Sequence, residues 1–518
     1  MSSIRSDFHT SVISQFIDDI YYQRSNYFHF LGKTDQWNTN DVPSSSSPDD
    51  NASQDISVRD SMVYLKKVTP SDASLVTACH QWVSEAVYAQ WDHTQTMKTQ
   101  SFYCITEDYN VYKCLDNVSG SKSTVKPPAL SDVDDFTVPV RTSDGYLWKY
   151  MYTVPSFKRQ KFLTADYLPV QRALSDAFYN KGSVINVTVL NSGQNYTSDT
   201  IITVTGDGQD AEFSPVIQGG HIVDIIVDNP GFGYSYVTLG LSGTAGSGAS
   251  LKVILASSDL SSNQSVVEQT VVKGAIYSAA ITTSGTGYTT GATATVTGDG
   301  TGATAEIELG DGGSIKHIKM TNYGQNYTTA AITINDVNRT GVVTDAVVYA
   351  ILPPLNGHGF DAVKELYADT ISISTSIRGD SELINLDQDF RQYGIIQNPT
   401  NLLDNTYITN HLNFTTFRVE LDNVSGISKD NVLVSDHVNY QVVNVYTQQK
   451  QVDLIQMCYI YKNLGSTLTK GNTSYTVNQV LSTPSVNKYS GNLMYVANKD
   501  PFAPSAEQSI AIRTNIKL

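Results

Sequence analysis

Cysteine is scarce in this chain. Four cysteines occur in 518 residues, at Cys79, Cys104, Cys114 and Cys458, and none belongs to a Cys-x-x-Cys motif. The wide spacing argues against a zinc knuckle and against a dithiol redox pair. Cys104 and Cys114 could approach each other across a hairpin, but in a reducing cytoplasm we expect free, buried thiols.

Charged residues are also few, and basic residues are fewer than acidic ones. They make up 16% of the chain, and 50 Asp and Glu against 34 Lys and Arg give a formal net charge of −16. No basic run is longer than a pair such as Lys158-Arg159. Nucleic acids and anionic membranes are bound through clustered Lys and Arg, so we expect neither as a partner.

Long apolar runs are absent as well. No stretch of 18 apolar residues occurs, so the sequence predicts no transmembrane helix, and its polar beginning shows no apolar signal region. The chain is instead rich in tyrosine, with 31 residues. That suits extended β structure and protein–protein contact, because Tyr is enriched at interfaces. The length predicts several domains, since a single core rarely grows this large.

The most regular pattern follows the turn signal Asp144-Gly145. Tyr146, Trp148, Tyr150 and Tyr152 alternate with Leu147, Lys149 and Met151, which predicts a strand with an aromatic face. Pro155 ends it, because proline cannot donate to a ladder. Both faces carry bulk, so we expect the strand to lie between two layers. A packed core is the favoured interpretation of the aromatic face, and an exposed binding surface is the alternative.

This run, residues 143–155, resembles a signature of the baseplate wedge subunit (gene product eight) of T4-like contractile-tailed bacteriophages. Further segments resemble the same family in the same order: 10–16, 28–39, 111–116, 390–399, 490–495 and the closing strand to Leu518. The resemblance covers about half of the chain and leaves out 182–353 and 403–483. Its signature residues are Gly32, Trp37, Tyr112, Cys114, Gly145, Tyr146, Trp148, Tyr150, Pro155, Phe390, Arg391, Asn398, Pro399, Gly491 and Tyr495.

The resemblance implies a three-layer β-sandwich core with helix-bearing loops. In that family the subunit forms a homodimer inside each baseplate wedge and bridges neighbouring wedge proteins, gene products six, seven, ten and fifty-three. It implies a rigid bracket whose contacts survive or reorganise when the baseplate opens and the sheath contracts. It also implies a place in the virion tail baseplate after assembly in the host bacterial cytoplasm. We expect no catalytic residue, no cofactor and no metal ion.

Local patterns predict the remaining elements of the first block. Apolar residues at helical spacing predict a helix from about residue 5 to 23, packed in the core or docked on a neighbour. Strands are predicted at 28–31 and 62–68, then a short helix capped by Ser71. Residues 38–52 predict a surface loop without a calcium-loop pattern. Residues 82–91 are ambiguous between helix and strand, and 102–106 with 111–115 predict a hairpin.

An internal repeat fills residues 184–352. Four units align on a Gly-x-x-Tyr turn, formed by Gly193 and Tyr196, Gly231 and Tyr234, Gly285 and Tyr288, and Gly324 and Tyr327. A strand is predicted before each turn, at 185–189, 222–227, 276–281 and 315–320, and another after it, at 201–204, 237–241, 293–296 and 332–334. Residues 257–273 are predicted to be a linker. Such repeats are stacked units that share a core, so we expect two pairs of β units.

Two Gly-Asp-Gly turns, at 206–208 and 298–300, resemble loops that bind phosphate or calcium. Neither the Gly-Lys-Ser/Thr of a phosphate loop nor the nonapeptide calcium repeat is present, so turn chemistry is the favoured interpretation.

The remaining chain contains one residue set that resembles a hydrolytic site. His358 lies near Asp361 and Ser372 in sequence, but no Gly-x-Ser-x-Gly elbow accompanies them, so we predict a tight loop and no catalysis. Strands are predicted at 365–377 and 390–396. Five short strands follow, at 414–421, 432–434, 440–446, 452–456 and 475–480, and predict a small barrel. Oligonucleotide-binding barrels share this pattern, but the acidic, Lys-poor sequence disfavours that ligand.

We therefore predict a mainly β protein with a discontinuous layered β-sandwich core and a few helices. The core consists of residues 1–181, 354–402 and 484–518. It carries an inserted β-repeat domain at 182–353 and a small inserted β-barrel-like domain at 403–483. The predicted function is that of a structural baseplate wedge subunit. The alternative is a receptor- or glycan-binding tail protein that uses the repeat domain. An enzyme such as a depolymerase has no paired-carboxylate motif here, although such carboxylates need no fixed spacing.

Overall fold

The protein is mainly β, as predicted. A computed structural model describes residues 2–21, 24–48, 51–170, 182–242, 246–255, 258–339, 341–378, 388–410, 412–502 and 509–517. Residues 22 and 23 of the predicted first helix, residue 181 at a predicted domain boundary, Ser257 and the closing Leu518 lie outside the described residues.

The first block alternates short strands with three helices. Its elements are α1 (Ser2–Tyr21), β1 (Tyr27–Gly32), α2 (Ala52–Ser61), β2 (Met62–Lys67), β3 (Ala73–Ala78), β4 (Tyr103–Ile105), β5 (Asn110–Asp116), β6 (Val140–Arg141), β7 (Leu147–Thr153), α3 (Ser156–Phe162) and β8 (Tyr167–Pro169). The predicted helix, the two strands and the hairpin are confirmed. Residues 82–91 are neither helix nor strand, apart from an isolated bridge between Ala86 and Ser123.

The prediction that Ser71 caps a short helix is wrong. A single 3-10 turn spans Pro70–Asp72, and its N-cap is Thr69. The Asp72 carboxylate accepts the Thr69 N–H at 2.9 Å and the Thr69 hydroxyl at 2.7 Å. Proline is favoured at the first helical position, which places the cap one residue before it.

The described part of the repeat segment contains twelve strands, one α-helix and a 3-10 turn at Asp311–Gly313. They are β9 (Val184–Gln194), β10 (Ile201–Gly206), β11 (Gln209–Gln218), β12 (His221–Phe232), β13 (Val237–Ser242), β14 (Ser247–Leu255), α4 (Ser258–Gln269), β15 (Ala279–Thr283), β16 (Thr293–Gly298), β17 (Thr301–Leu309), β18 (Ile315–Gln325), β19 (Ala330–Asn335) and β20 (Val347–Ala350). Seven of the eight predicted strands are confirmed, and the eighth, predicted at 276–281, begins only at Ala279. The predicted linker at 257–273 is wrong, because most of it is the helix α4.

The chain then returns to the core, forms a barrel and ends in two long strands. The elements are α5 (Ala362–Glu365), β21 (Thr370–Arg378), β22 (Phe390–Gln397), β23 (Thr400–Asn401), β24 (Leu412–Phe414), β25 (Thr416–Leu421), β26 (Val432–Ser435), β27 (Val438–Tyr446), β28 (Gln451–Gln456), β29 (Thr467–Lys470), β30 (Thr473–Ser482), β31 (Val486–Asn487), β32 (Asn492–Phe502) and β33 (Ser509–Lys517). The strand predicted at 365–377 begins only at Thr370, because α5 ends at Glu365.

Three sheets form the core. The first, called the β1 sheet, has the order β24-β2-β1-β22-β32; the β21 sheet has the order β33-β21-β3-β8; the β7 sheet has the order β4-β5-β7-β6. The β1 and β21 sheets each pair strands from the first block with strands from beyond the repeats. The core is therefore discontinuous in sequence.

Buried side chains join the three sheets. One apolar cluster contains Leu75 and Ile371 of the β21 sheet, Met151 of the β7 sheet, and Ile13 and Ile17 of α1. The predicted core role of the first helix is thus confirmed for the side chains described. A second cluster lies between the β1 and β21 sheets and includes Leu31, Phe390 and Ile512.

The predicted small barrel is present and closed. Its order is β25-β28-β27-β26-β29-β30. It has six strands where five were predicted. The missed strand, β29, buries only Leu468 inside the barrel, and its polar neighbours carry no strand signal.

Strand β7 is buried between two apolar clusters, as predicted. Tyr146, Trp148 and Tyr150 share one cluster, and Leu147 and Met151 lie in the other. The placement of Tyr152 on the aromatic face is wrong, because Tyr152 packs with Met151. A β-bulge causes this: Tyr150 pairs with Tyr112 and Tyr152 pairs with Val111, so Met151 has no partner of its own. The extra residue shifts the alternation by one.

The four repeat units form two pairs, and within each pair the strands of one unit pair with strands of the other. In the first lobe, defined as 184–255, the nested pairs are β11 with β12, β10 with β13 and β9 with β14. In the second lobe, defined as 279–350, they are β17 with β18, β16 with β19 and β15 with β20. Each strand of one unit thus pairs with a strand of the other, which gives each lobe an approximate two-fold arrangement.

Candidate functional site

The signature residues of β5 and β7 form one aromatic cluster on the outer face of the β7 sheet. Tyr112, Cys114, Tyr146, Trp148 and Tyr150 are all buried there. The Tyr146 and Trp148 rings stack with centroids 5.4 Å apart, and the Tyr112 hydroxyl donates to the Pro128 carbonyl oxygen at 2.6 Å. Gly145 adopts φ 93 in the turn that opens the strand, where a side chain would meet Val118.

Helix α4 closes this cluster. Its Val267 is fully buried in the same group of side chains as Trp148. The helix lies in the segment predicted to be a linker, so the repeat region contributes to the core at the position of the aromatic strand. Pro155, at the other end of β7, is the N-cap residue of α3.

A second group of signature residues fixes the edge of the β1 sheet. The Arg391 side chain is fully buried, although it is charged. It donates to both carboxylate oxygens of Asp41, to the Thr34 carbonyl oxygen at 2.7 Å and to Asp389 at 2.9 Å. Hydrogen bonding to Arg391 lowers the pKa of Asp41 below its usual value. Nearby, the Trp37 indole N–H donates to the Lys499 carbonyl oxygen at 3.0 Å.

The remaining signature residues make close backbone approaches. The Asn398 side chain accepts the Asn26 N–H at 2.7 Å. A Cβ on Gly491 would lie 2.5 Å from the Gln397 carbonyl oxygen and 2.9 Å from the Pro399 nitrogen. A Cβ on Gly32 would lie 2.6 Å from the Ser61 carbonyl oxygen. Phe390 is buried between sheets and Tyr495 of β32 pairs with Ile395. These residues hold chain segments together.

The four Gly-x-x-Tyr turns have the same construction. Each tyrosine hydroxyl accepts a backbone N–H from an alanine of the paired unit. The distances are 3.2 Å for Tyr196 and Ala249, 3.4 Å for Tyr234 and Ala211, 2.9 Å for Tyr288 and Ala346, and 3.3 Å for Tyr327 and Ala303. The four glycines, Gly193, Gly231, Gly285 and Gly324, have φ between 59 and 61. The repeated residues therefore fasten each unit to its partner.

The Gly-Asp-Gly turns also serve this pairing. Asp207 accepts the Ser235 and Tyr236 N–H groups at 2.8 and 3.2 Å, and Asp299 accepts those of Thr328 and Thr329 at 2.9 Å. Hydrogen bonds from the Ser235 hydroxyl and the Tyr236 N–H lower the pKa of Asp207 to about 2. The carboxylates are occupied by backbone donors, in agreement with the predicted turn chemistry.

A buried ion pair lies where the chain returns from the repeats to the core. Lys113 Nζ of β5 and Glu365 Oε2 of α5 are 2.8 Å apart, and both side chains are buried. Glu365 also accepts the Gly359 N–H at 2.8 Å, and the Lys113 ammonium lies 3.8 Å from the centre of the Trp91 ring. Burial would raise the pKa of Glu365, but the charge of Lys113 outweighs this effect, and the pKa is lowered to about 2. The carboxylate therefore stays charged and paired at neutral pH.

His358 packs against this pair. Its Nδ1 is 3.7 Å from Glu365 Oε2, and its ring lies edge-on to Trp91 at 5.7 Å. Burial and the Lys113 charge lower the pKa of His358 to about 3, so the imidazole is neutral. Asp361, the acid of the sequence motif, instead caps α5 by accepting the Lys364 N–H at 3.2 Å. The geometry around His358 is that of a packed loop.

A second buried charge cluster joins the second lobe to the β7 sheet. Asp116 of β5 accepts His317 Nε2 of β18 at 3.0 Å and Arg141 Nη1 at 3.0 Å. Burial would raise the pKa of Asp116, but His317 and Arg141 hold it below its usual value. The Tyr349 hydroxyl donates to Asp92 at 2.6 Å in the same interface. Sequence reasoning missed the pairs of Asp116 with His317 and of Asp92 with Tyr349, because their members lie hundreds of positions apart.

Two clefts lie beside these clusters in the described part of the chain. One lies between the barrel and the core, with Tyr459, Tyr461 and Tyr489 among its lining residues, and has a volume of about 110 Å³. Lys488 also lines it; its ammonium donates to the Gln456 carbonyl oxygen at 2.9 Å, and burial lowers its pKa to about 8. The second cleft, near Cys79, His80 and Ser101, has a volume of about 450 Å³.

In the described part of the chain, no group of three His, Cys, Asp or Glu side chains is placed to hold a metal ion. No helix among these residues is long and apolar enough to span a membrane. The four cysteines are free, with Cys104 and Cys114 buried and the other two half-buried. Comparison with known protein families and with curated proteins found no match to this sequence.

Proposed function

We propose that this chain is a structural subunit of a phage tail baseplate wedge, acting as a homodimer that bridges neighbouring wedge proteins. The observation that carries the proposal is the location of the signature residues. Arg391 and Asn398 join segments that lie hundreds of residues apart, Gly491 packs against the backbone of Gln397 and Pro399, and Trp148 fills the cluster over the β7 sheet. We expect the signature residues of a structural subunit at such positions, because there they hold the fold together.

The distribution of buried charge supports a rigid bracket. Lys113 with Glu365, Arg391 with Asp41, and Asp116 with His317 each join two segments of the chain. Breaking the pair of Lys113 and Glu365 by removing one partner costs about 3–5 kcal/mol, because the other charge stays buried. A subunit that transmits force between neighbours needs this resistance, and it needs large contact surfaces more than a pocket.

The first test is the oligomeric state of the purified full chain. Light scattering at micromolar concentration should give twice the chain mass of 56.6 kDa. Negative-stain imaging of labelled virions should then place the protein in a ring near the tail tube, and mixtures with candidate wedge proteins should form a complex. A monomer that joins no such complex would contradict the proposal.

The second candidate is a receptor- or glycan-binding tail protein that uses the repeat lobes. The observation in its favour is Tyr236, which is 58% exposed and follows a turn fixed by Asp207. Exposed aromatic side chains on rigid turns are suited to stacking on ligands. Label at fibre tips, or glycan binding by the full chain that Tyr236→Ala abolishes, would favour this candidate.

A further inference from the structure

Strand β33 leaves one edge of the β21 sheet open. It pairs with β21 along nine consecutive positions, from Ser509 with Arg378 to Lys517 with Thr370, without a register shift. It is the last strand of its sheet, and none of the described residues pairs with its outer edge. Proteins normally protect such edges with prolines, bulges, very short strands or charged side chains. Strand β33 has no proline and no bulge, and its only charged residues are Arg513 and Lys517.

The other sheet edges of the core are protected. Strands β24, β4, β6 and β8 have only two or three residues each. The long edge strand β32 is covered near its middle, where the Asn498 N–H donates to the Ser46 carbonyl oxygen at 2.7 Å. An open edge nine residues long is therefore a specific feature of β33.

The exposed face of β33 carries positive charge in an acidic protein. Arg513 and Lys517 point to the solvent side, and their neighbours include Lys161 and Lys98. Two carboxylates accompany them: Asp369 lies 3.8 Å from Lys517 and also contacts Lys98, and Asp72 pairs with Lys161 at 2.9 Å. The four cations and two carboxylates leave a surplus of positive charge on this face of the sheet.

The opposite face of β33 is apolar except for Thr514, which contacts His29. Ile510 and Ile512 are buried in the cluster between the β1 and β21 sheets, and Ile516 packs against the larger core cluster. An added strand would continue both faces, because side chains alternate across a sheet with period two. Its residues would meet an apolar row on one side and the Arg513 and Lys517 side chains on the other.

We propose that β33 takes up an extended acidic segment of another protein, which adds to the β21 sheet as a further strand. The segment alternates apolar residues with Asp or Glu. Main-chain hydrogen bonds provide affinity at such an edge, and the alternate side chains provide specificity. The inference concerns this edge alone and does not depend on the role in a tail.

The test uses labelled eight-residue peptides and the full chain. One peptide alternates Val with Glu, a second alternates Val with Lys, and a third is the Val/Glu peptide with a central proline. Fluorescence anisotropy should show binding of the first only, since proline removes a ladder donor. The double variant Arg513→Glu, Lys517→Glu should lower the affinity for the Val/Glu peptide by about tenfold. It should bind the Val/Lys peptide instead.

Lys126→Glu is the control, because Lys126 is a partly exposed lysine that does not belong to β33. It should keep the preference of the wild type, and the melting temperature of the double variant should stay unchanged. Binding that ignores the charge reversal, or no binding at all, would overturn the proposal. A dimer that the double variant converts to a monomer would also overturn it, because a second copy would then occupy the edge.

Discussion

Single side chains join segments of this protein that are far apart in sequence. Arg391 reaches Asp41 and Thr34, and His29 contacts Thr375 Oγ1 at 2.7 Å and Thr514 Oγ1 at 3.1 Å. These contacts depend on the tertiary structure, so local sequence patterns do not indicate which residues make them. Trp148 is an exception, because its regular aromatic neighbours already predicted a buried position.

Replacement of Trp148 tests the aromatic cluster. Trp148→Ala should lower the free energy of unfolding by about 3–5 kcal/mol, since it leaves a large cavity under α4. Trp148→Phe should cost clearly less, because it retains a ring and removes an indole N–H that has no hydrogen-bond partner. Thermal melting beside the exposed-site variant Tyr236→Ala provides the measurement. An unchanged midpoint for Trp148→Ala would show that the cluster does not stabilise the fold.

Protonation of His29 should weaken the contact between the β1 and β21 sheets. Burial lowers the pKa of His29 from 6.5 to about 4, so the unfolded chain binds the proton more readily. Stability should therefore fall as the pH drops through the range from 6.5 to 4, by about 2 kcal/mol at pH 5 for this residue. Urea unfolding of His29→Gln at pH 7.5 and 5 should show a smaller difference than the wild type does.

The exposed His221 provides the comparison for this measurement. His221→Gln should retain the full pH dependence of the wild type. If His29→Gln retains it too, the loss of stability belongs to other groups, such as the neutral His358, and the assignment to His29 is wrong.

Secondary-structure elements were predictable where their pattern is local. The alternating strands and Gly-x-x-Tyr turns of the repeats are in place because each unit repeats its own signals. Helix α4 was missed because its sequence is mostly polar, and only its docking at Val267 explains why it is a helix here. Tyr152 was placed on the wrong face because a bulge depends on the partner strand. The charge clusters at Glu365 and Asp116 were missed because no local pattern connects their members.

The turn glycines of the repeat should tolerate no side chain. Gly324 has φ 60, and a Cβ there would lie 2.6 Å from the Ala303 nitrogen and the Thr301 carbonyl oxygen. Gly324→Ala should cost roughly 2–5 kcal/mol, from left-handed strain and overpacking together. Gly312→Ala is the matched control, because Gly312 also has positive φ but no atom within 4 Å of the added carbon. Equal melting temperatures for the two variants would contradict this account of the turn.

The two lobes differ in how they are attached to the whole molecule. The first lobe has its own buried cluster, and its end residues Val184 and Leu255 are register partners on β9 and β14. The second lobe is continuous with the core, because Tyr277 and Ile351, which flank it, belong to the main apolar cluster. Residues 182–353 therefore comprise two lobes with different attachments.

Deletion of each lobe should distinguish these attachments. Removal of 185–254, with a short Gly/Ser link between the paired ends, should leave a soluble protein with an unchanged core. Removal of 280–349 should deprive the buried Asp116 of its partner His317 and give an insoluble or strongly destabilised protein. Expression, mass and melting of the two products provide the measurement. Loss of solubility in the first deletion would show that the first lobe is integral to the core.

The nested strand pairs have a consequence for synthesis of the chain. When β9, β10 and β11 leave the ribosome, none of them has its partner, since all three partners lie in the following unit. The hairpin of β11 with β12 can close first, then β10 with β13, and β9 with β14 only at the end. Each closure shortens the open loop that the next pair must span, which keeps its entropic cost small. The pair that attaches the first lobe to the rest of the chain is thus the last to form, so an unfinished lobe stays a separate, growing hairpin.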